Sequence, residues 1–459
     1  MRYQRDNYPN MLLRFVVENF LSFSDELDFT LFPYTRLREK KDHIYRTPEV
    51  DLLKTAAIYG ANGSGKSNLV KAMAFLRDFA VLGDLHQGHG LAGPFRLDAD
   101  RLKQPSHFEI EFLHEGTYYG YEVHATRSRV VVEKLSILHP GKDEREVLFS
   151  LLVVDGEHKV DIHPRYQQSE EDKARINFFL EEFLTPTASL LRVLARNNAF
   201  PEMQQAVNWL RNHFIVIQPH DNFINIAEVL YKDEGFRAFG LNLLKTMDTG
   251  VTDMALDRMP YETFFGLDDE QKKQEALAAL HQGHDYIKMN VHGEELLLRL
   301  EEEEVVVYRA VLFHEAEDGT LIKFSIREES DGTRRVLDFL PVWRTLKSAP
   351  AAIVIDEIGR SLHPSLLDHL IRIFMNNETR GQLIFTTHED NLLSQEVFRR
   401  DEIHLMNKTA KGNSEAYPLS DFKSRNDTDL QKNYLFGRFG GTPRLGHYFT
   451  LEQRAAVNE

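Results

Sequence analysis

The sequence has no cysteine, which excludes disulfides, thiolate catalysis and cysteine-based zinc sites. It has no apolar run near the ~20 residues that cross a bilayer, and its opening MRYQRDNYPN lacks an apolar signal core. Neither a membrane partner nor secretion by the usual route is expected, and the cytoplasm is the expected compartment. Fixed-period repeats and low-complexity tracts are missing too. Positive charge is scarce: Lys+Arg 55 against Asp+Glu 71 leaves a formal net charge of -16. On average a phosphate backbone repels so acidic a chain, so nucleic-acid contact requires a local basic patch. What is present is 459 residues, 42% hydrophobic and 27% charged. That is an ordinary globular composition, long enough for one large or two to three ordinary domains.

Residues 11–32, MLLRFVVENFLSFSDELDFTLF, read as two strands joined by a turn near Ser22–Asp25. Met11 is an alternative start, and residues 1–10 read as a loose extension. LLKTAAIYG ends a short buried strand at Gly60, and SNLVKAMAFLRDFAVL follows with helical spacing. This strand–loop–helix unit opens an α/β domain. HFEIEFLHEGTYYGYEVHA reads as a hairpin, and VVVEKLSIL and EVLFSLLVV continue it as an antiparallel sheet. From about 165 to 290 the pattern is mainly helical, interrupted by a strand at FIVIQP. Strands resume with EEVVVYRAVLFHE and TLIKFSIRE. AAIVIDE and QLIFTTHE then flank the helix SLLDHLIRIFMNN as a parallel βαβ unit. Glu301–Glu304 reads as a solvated acidic run, not a metal cluster.

Four segments carry chemistry. Gly60-Ala61-Asn62-Gly63-Ser64-Gly65-Lys66-Ser67 matches G-x-x-x-x-G-K-[ST] in full. Its glycines let backbone N–H groups turn onto a β-phosphate, and the helix beginning near Lys66 points its positive end at the same anion. Lys66 supplies a mobile cation for the β/γ oxygens, and the Ser67 hydroxyl is a magnesium ligand. Second, Ile353-Val354-Ile355-Asp356-Glu357 is an apolar strand ending in two acids. On its own it means only a strand reaching solvent. Beside a phosphate loop, Asp356 becomes a metal holder and Glu357 the group that orients and deprotonates water. Third, His388 ends the next strand, 31 residues after Glu357, where it can report on a γ-phosphate. Fourth, Ser330 and Gly332 open the helix VLDFLPVW, 24 residues before Asp356 in the case of Gly332. This is either a plain N-cap or a second phosphate-binding helix start. One chain has no spare phosphate for it, so its target is the ATP of a second copy.

With these residues in view, the chain resembles the ABC-type ATPases shared by SMC, Rad50 and overcoming-lysogenization-defect (OLD) proteins. Within that class it is most similar to the small ATPases of bacterial anti-phage defence operons. The resemblance rests on MLLRFVVENFLSF, GANGSGKSN (which extends the loop to Asn68), PFRLD, the FEIEF hairpin, SDGTRR, IVIDEIGRSLHP, FTTHED and YLFGRFGGTP. It implies an α/β ABC-type P-loop ATPase head, a mixed sheet with an antiparallel β-subdomain, carrying a mainly helical insertion. The halves of the head would be 11–160 and 293–459, with 161–292 as the insertion. It further implies ATP and Mg2+ as cofactors, Ser330 and Gly332 as the signature that completes a partner's site, Gly359 to Pro364 as the D-loop, and His388 as the switch histidine. No Q-loop glutamine can be placed; Gln87 and Gln104 have no motif around them.

Three functional readings follow. A complete OLD-type nuclease needs a further acidic α/β unit, and only 71 residues follow His388. An SMC- or Rad50-like ATPase acting directly on DNA in repair or end processing comes with long coiled-coil arms. Here the central segment contains Pro186, Pro201 and Pro219 and no sustained heptads. That reading stays as the alternative, and direct nucleic-acid contact stays open with it. The third reading is an ATPase without a nuclease domain of its own that gates a separate effector. Here the resemblance is to the ATPases of PARIS-type defence, the AriA group, with septu-type and retron-linked ATPases as alternatives. It implies a homo-oligomer built from ATP-sandwich dimers, a hexamer among the forms, that restrains a Toprim-type nuclease of the AriB kind. A phage anti-restriction protein, such as an acidic DNA mimic, would be the trigger.

Overall fold

The computed structural model describes residues 10–142, 144–219, 226–266, 270–281, 283–291, 294–376, 378–422 and 430–442. The extension 1–9 and Pro443, the last residue of YLFGRFGGTP, lie outside them. Two sheets organise the head. The central sheet runs Phe214–Ile217, Ala352–Ile355, Gln382–Thr387, Thr55–Gly60, Ile403–Lys408, Ser414–Pro418 in spatial order. The first five are parallel, and the last is an antiparallel edge. Continuous apolar runs such as AIVI and QLIFTT suit strands covered on both faces, and both are buried throughout.

The second sheet is antiparallel and seven-stranded. The strands Glu157–Ile162, Glu144–Val154, Arg129–His139, Thr117–Thr126 and Ser106–His114 follow one another, and then the N-terminal pair Met11–Glu18 and Leu27–Thr30 completes it. The turn near Ser22–Asp25 falls between that pair, as expected. Helix Lys66–Leu82 lies between the two sheets. It is apolar nearly all round, with Leu69, Val70, Met73, Phe75, Leu76 and Phe79 buried, as an enclosed helix must be. Its core joins Phe15 and Phe108 of one sheet to Ile58, Val354 and Ile384 of the other. A second core covers the opposite face of the central sheet, where helices Asp331–Ser348 and Pro364–Asn376 pack on Ile353, Ile355, Leu383 and Phe385.

The fold class is the expected α/β head with an antiparallel β-subdomain. The segment 161–292 is helix-rich, and its residues distribute over several places, the second core among them. Helices Leu190–Leu194 and Pro201–Asn212 join the first core, and strand Phe214–Ile217 enters the central sheet beside Ala352–Ile355. Strands Val251–Pro260 and Ile287–Val291 pair with Glu304–Glu315 and Glu294–Glu301 in a separate five-stranded sheet. The acidic run 301–304 forms a tight turn of that sheet, where Glu301 pairs with Arg258 and Tyr308.

Candidate functional site

Three parallel strands end at one edge of the central sheet, and each is followed by candidate residues. In register, Ile355 lies beside Phe385, and Thr387 beside Tyr59. The chain leaving these strands therefore brings Asp356–Glu357, His388 and the loop after Gly60 together. This carboxyl edge is where open parallel sheets bind ligands. The loop turns sharply: Gly63 (φ 76°) and Gly65 (φ 113°) occupy the left-handed region. A Cβ on Gly65 would collide with Ser414 Oγ, and one on Gly60 with the carbonyl of Met406.

Lys66 is the cation of the site. Its Nζ donates to the carbonyls of Gly60 at 2.7 Å and Ala61 at 3.2 Å, and lies 3.5 Å from His388 Nδ1. Burial lowers the Lys66 pKa to about 8, against the opposing pull of Asp356 and Glu357. Burial, and then the charge of Lys66, also lower the pKa of His388. Asp356 is 2% exposed and accepts a hydrogen bond from Thr386 Oγ1 at 2.5 Å. The same hydroxyl accepts from the Glu357 amide at 2.7 Å, and Glu357 itself has φ 52°. Asn62, Gly63, Ser64, Gly65, Lys66, Ser67, Asn68, Glu357 and His388 line a mouth of about 330 Å³. Ser64 Oγ is buried there without a hydrogen-bond partner among the described residues. A sharply turned glycine loop, a buried cation and an orphaned hydroxyl fit a polyphosphate. The hard oxygens of Ser67, Asp356 and Glu357 suit Mg2+.

Ser330 and Gly332 stand apart from this mouth. Ser330 caps helix Asp331–Ser348, its Oγ accepting from the Thr333 amide at 3.1 Å. The helix start lies against the segment Gly359 to Pro364: the carbonyl of Ser361 is 3.5 Å from where a Gly332 Cβ would sit. Gln87 and Gln104 are exposed and do not line the mouth either. Sequence reasoning gave no role to Thr386, which orders both acids, or to Ser22, whose Oγ accepts from Asn68 Nδ2 at 2.8 Å and meets Ser414 Oγ at 2.8 Å. Asn68 also borders an adjoining cleft of about 420 Å³ with Leu21, Ser22, Phe95, Arg96 and Lys408. Phe95 and Arg96 belong to the PFRLD motif. The one available signal for Ser22 was a hydroxyl within the apolar stretch NFLSF.

Residues 56–394 match the family model described as "AAA domain, putative AbiEii toxin, Type IV TA system". No curated protein matches the chain. Among solved structures, the SMC head domain from Thermotoga maritima aligns at 12% identity and TM-score 0.36, covering 89% of this chain and 98% of that one. The SmcHead bound to the C-winged helix domain of ScpA aligns at 13% identity and TM-score 0.41, covering 89% and 99%. An Smc head with an extended coiled coil, bound to the C-terminal domain of ScpA derived from Pyrococcus furiosus, aligns at 12% identity and TM-score 0.38, covering 90% and 97%.

Proposed function

Because the chain belongs to this AAA-domain family, whose description names type IV toxin–antitoxin systems, we propose that it is an ATPase whose ATP state gates a separate toxic effector in anti-phage defence. The observation that carries the reading is the convergence of Lys66, Glu357 and His388 on one mouth, while the helix start capped by Ser330 does not line it. In this reading the loop amides of 62–68 and Lys66 bind the β- and γ-phosphates. The cleft beside Asn68 takes the nucleoside. Ser67 and Asp356 hold Mg2+, which supplies charge neutralisation at the phosphate oxygens. Glu357 orients a water and takes its proton as the water oxygen attacks the γ-phosphorus and the β–γ bridge breaks, giving ADP and phosphate. His388, lying beside Lys66, senses whether the γ-phosphate is there. Ser330 and Gly332 of a second copy complete the site.

The proposed effector is a Toprim-type nuclease restrained by the ATP-bound assembly, and the proposed trigger is a phage anti-restriction protein. The test is co-expression with the product of the adjacent gene, followed by mass measurement of the purified complex. A stable complex that loses the nuclease on adding trigger supports the reading. If the two proteins stay separate in ATP and Mg2+, and the nuclease alone is equally restrained, the gating role is wrong.

A further inference from the structure

The antiparallel sheet turns Phe108, Ile110, Tyr121 and Val123 toward the core. Alternation then places His107, Glu122, His124, Glu18 and Lys134 on the opposite face. His107 and His124 are direct cross-strand partners with ring centroids 4.2 Å apart. His124 Nε2 lies 2.9 Å from Glu122 Oε1, and Glu18, the partner of His107 on the next strand, holds Oε2 4.0 Å from His107 Nδ1. One ligand atom each from His107, Glu122 and His124 lie within 4.8 Å of one another, and all three side chains are partly buried. Two groups of described residues meet that standard, and both contain His107. A second observation is independent of this clustering: His107 Nε2 is buried with no hydrogen-bond partner among the described residues.

The geometry points to a divalent-cation site of the zinc class, with His107, Glu122 and His124 as ligands and Glu18 as the carboxylate that orients the His107 ring. Two imidazoles and a carboxylate form a borderline-soft set that leaves a fourth position for water. Lys134 competes, since its Nζ pairs with Glu122 at 3.0 Å. The site also has a consequence for the mouth. Glu18 ends the strand from which the chain turns through Asn19 to Ser22, and Arg101 ties Glu18 to Asp25 at 2.7 and 3.3 Å. A bound ion would clip two strands, with Glu18 linking the third through His107 where that turn begins.

The test is calorimetric titration of the chelator-treated, nucleotide-free full chain with Zn2+, repeated with Co2+ to read the ligand-field absorption of a low-coordinate site. One ion per chain is expected. Glu18→Gln should weaken binding by ~10- to 100-fold, as losses of an orienting carboxylate do, and Lys134→Gln should tighten it by freeing Glu122. The near-isosteric Glu122→Gln guards against misfolding: it should retain the metal-free melting temperature but lose the Zn2+-dependent rise. Equal affinity in the His107→Gln/His124→Gln double variant, or no binding by the wild-type chain, overturns the site.

Discussion

Thr386 orders Asp356 through one hydroxyl, which donates to Asp356 Oδ1 at 2.5 Å while accepting the Glu357 amide at 2.7 Å. The strand that leads into His388 thus positions the two acids that follow the neighbouring strand. Thr386→Val keeps the shape and removes both bonds, leaving a buried carboxylate without this donor. Such a loss costs ~1–3 kcal/mol. The expected result is a lower melting temperature and a fall in kcat larger than any rise in KM for ATP. Unchanged kcat would mean the acids hold their orientation without Thr386.

Lys66→Ala removes the cation of the loop, and calorimetry should show ATP binding abolished. Unchanged affinity would sink the assignment of the loop.

The pH dependence follows from the same residue. Without nucleotide, Lys66 has a pKa lowered to about 8 by burial, and phosphate favours its protonated form. Below that pH the cation is already formed. Above it, binding must first recover a proton, so affinity falls as pH rises. The apparent Kd for ATP should be ~10-fold weaker at pH 9 than at pH 7. A flat profile would show that Lys66 stays charged throughout.

Glu357→Gln keeps shape and removes the base. ATP binding should persist while turnover falls by at least the ~10²-fold typical of general-base loss, and an ATP-bound dimer should outlast that of the wild type in size-exclusion chromatography. Hydrolysis at the wild-type rate would move the base elsewhere, with Asp356 the first alternative.

Much of this site was legible because its parts are local. Gly60 to Ser67 is contiguous, and its glycines are demanded by left-handed backbone at Gly63 and Gly65. The acid pair and His388 each end an apolar strand, so their meeting follows from parallel register. Links between distant segments were not legible. Ser22 joins Asn68 and Ser414 across separations of 46 and 392 residues, and nothing near Ser22 announces either partner. Of the five-stranded sheet, Glu304–Glu315 and Leu321–Ser325 were legible, and its other three strands were not, for another reason. EELLLRLE, residues 294–301, is made of good helix formers, yet it is a strand because Ile287–Val291 and Glu304–Glu315 pair with it on both sides. Tertiary pairing overrides propensity there. The strand at FIVI was visible, but its seat beside Ala352–Ile355 was not, so the central segment read as more separate than it is.

The most direct measurement is ATPase activity in a mixture of two inactive variants. Lys66→Ala lacks the loop cation. Ser330→Glu places an acidic group at the start of its helix, where the dipole favours negative charge, but sets a carboxylate where the partner's γ-phosphate would lie. If Ser330 acts across a dimer, each variant alone is inactive, and mixing creates one interface where intact Lys66 meets intact Ser330. Partial recovery of hydrolysis is the predicted result. Co-assembly of the two variants with no recovery would contradict the composite site and leave Ser330 a helix cap.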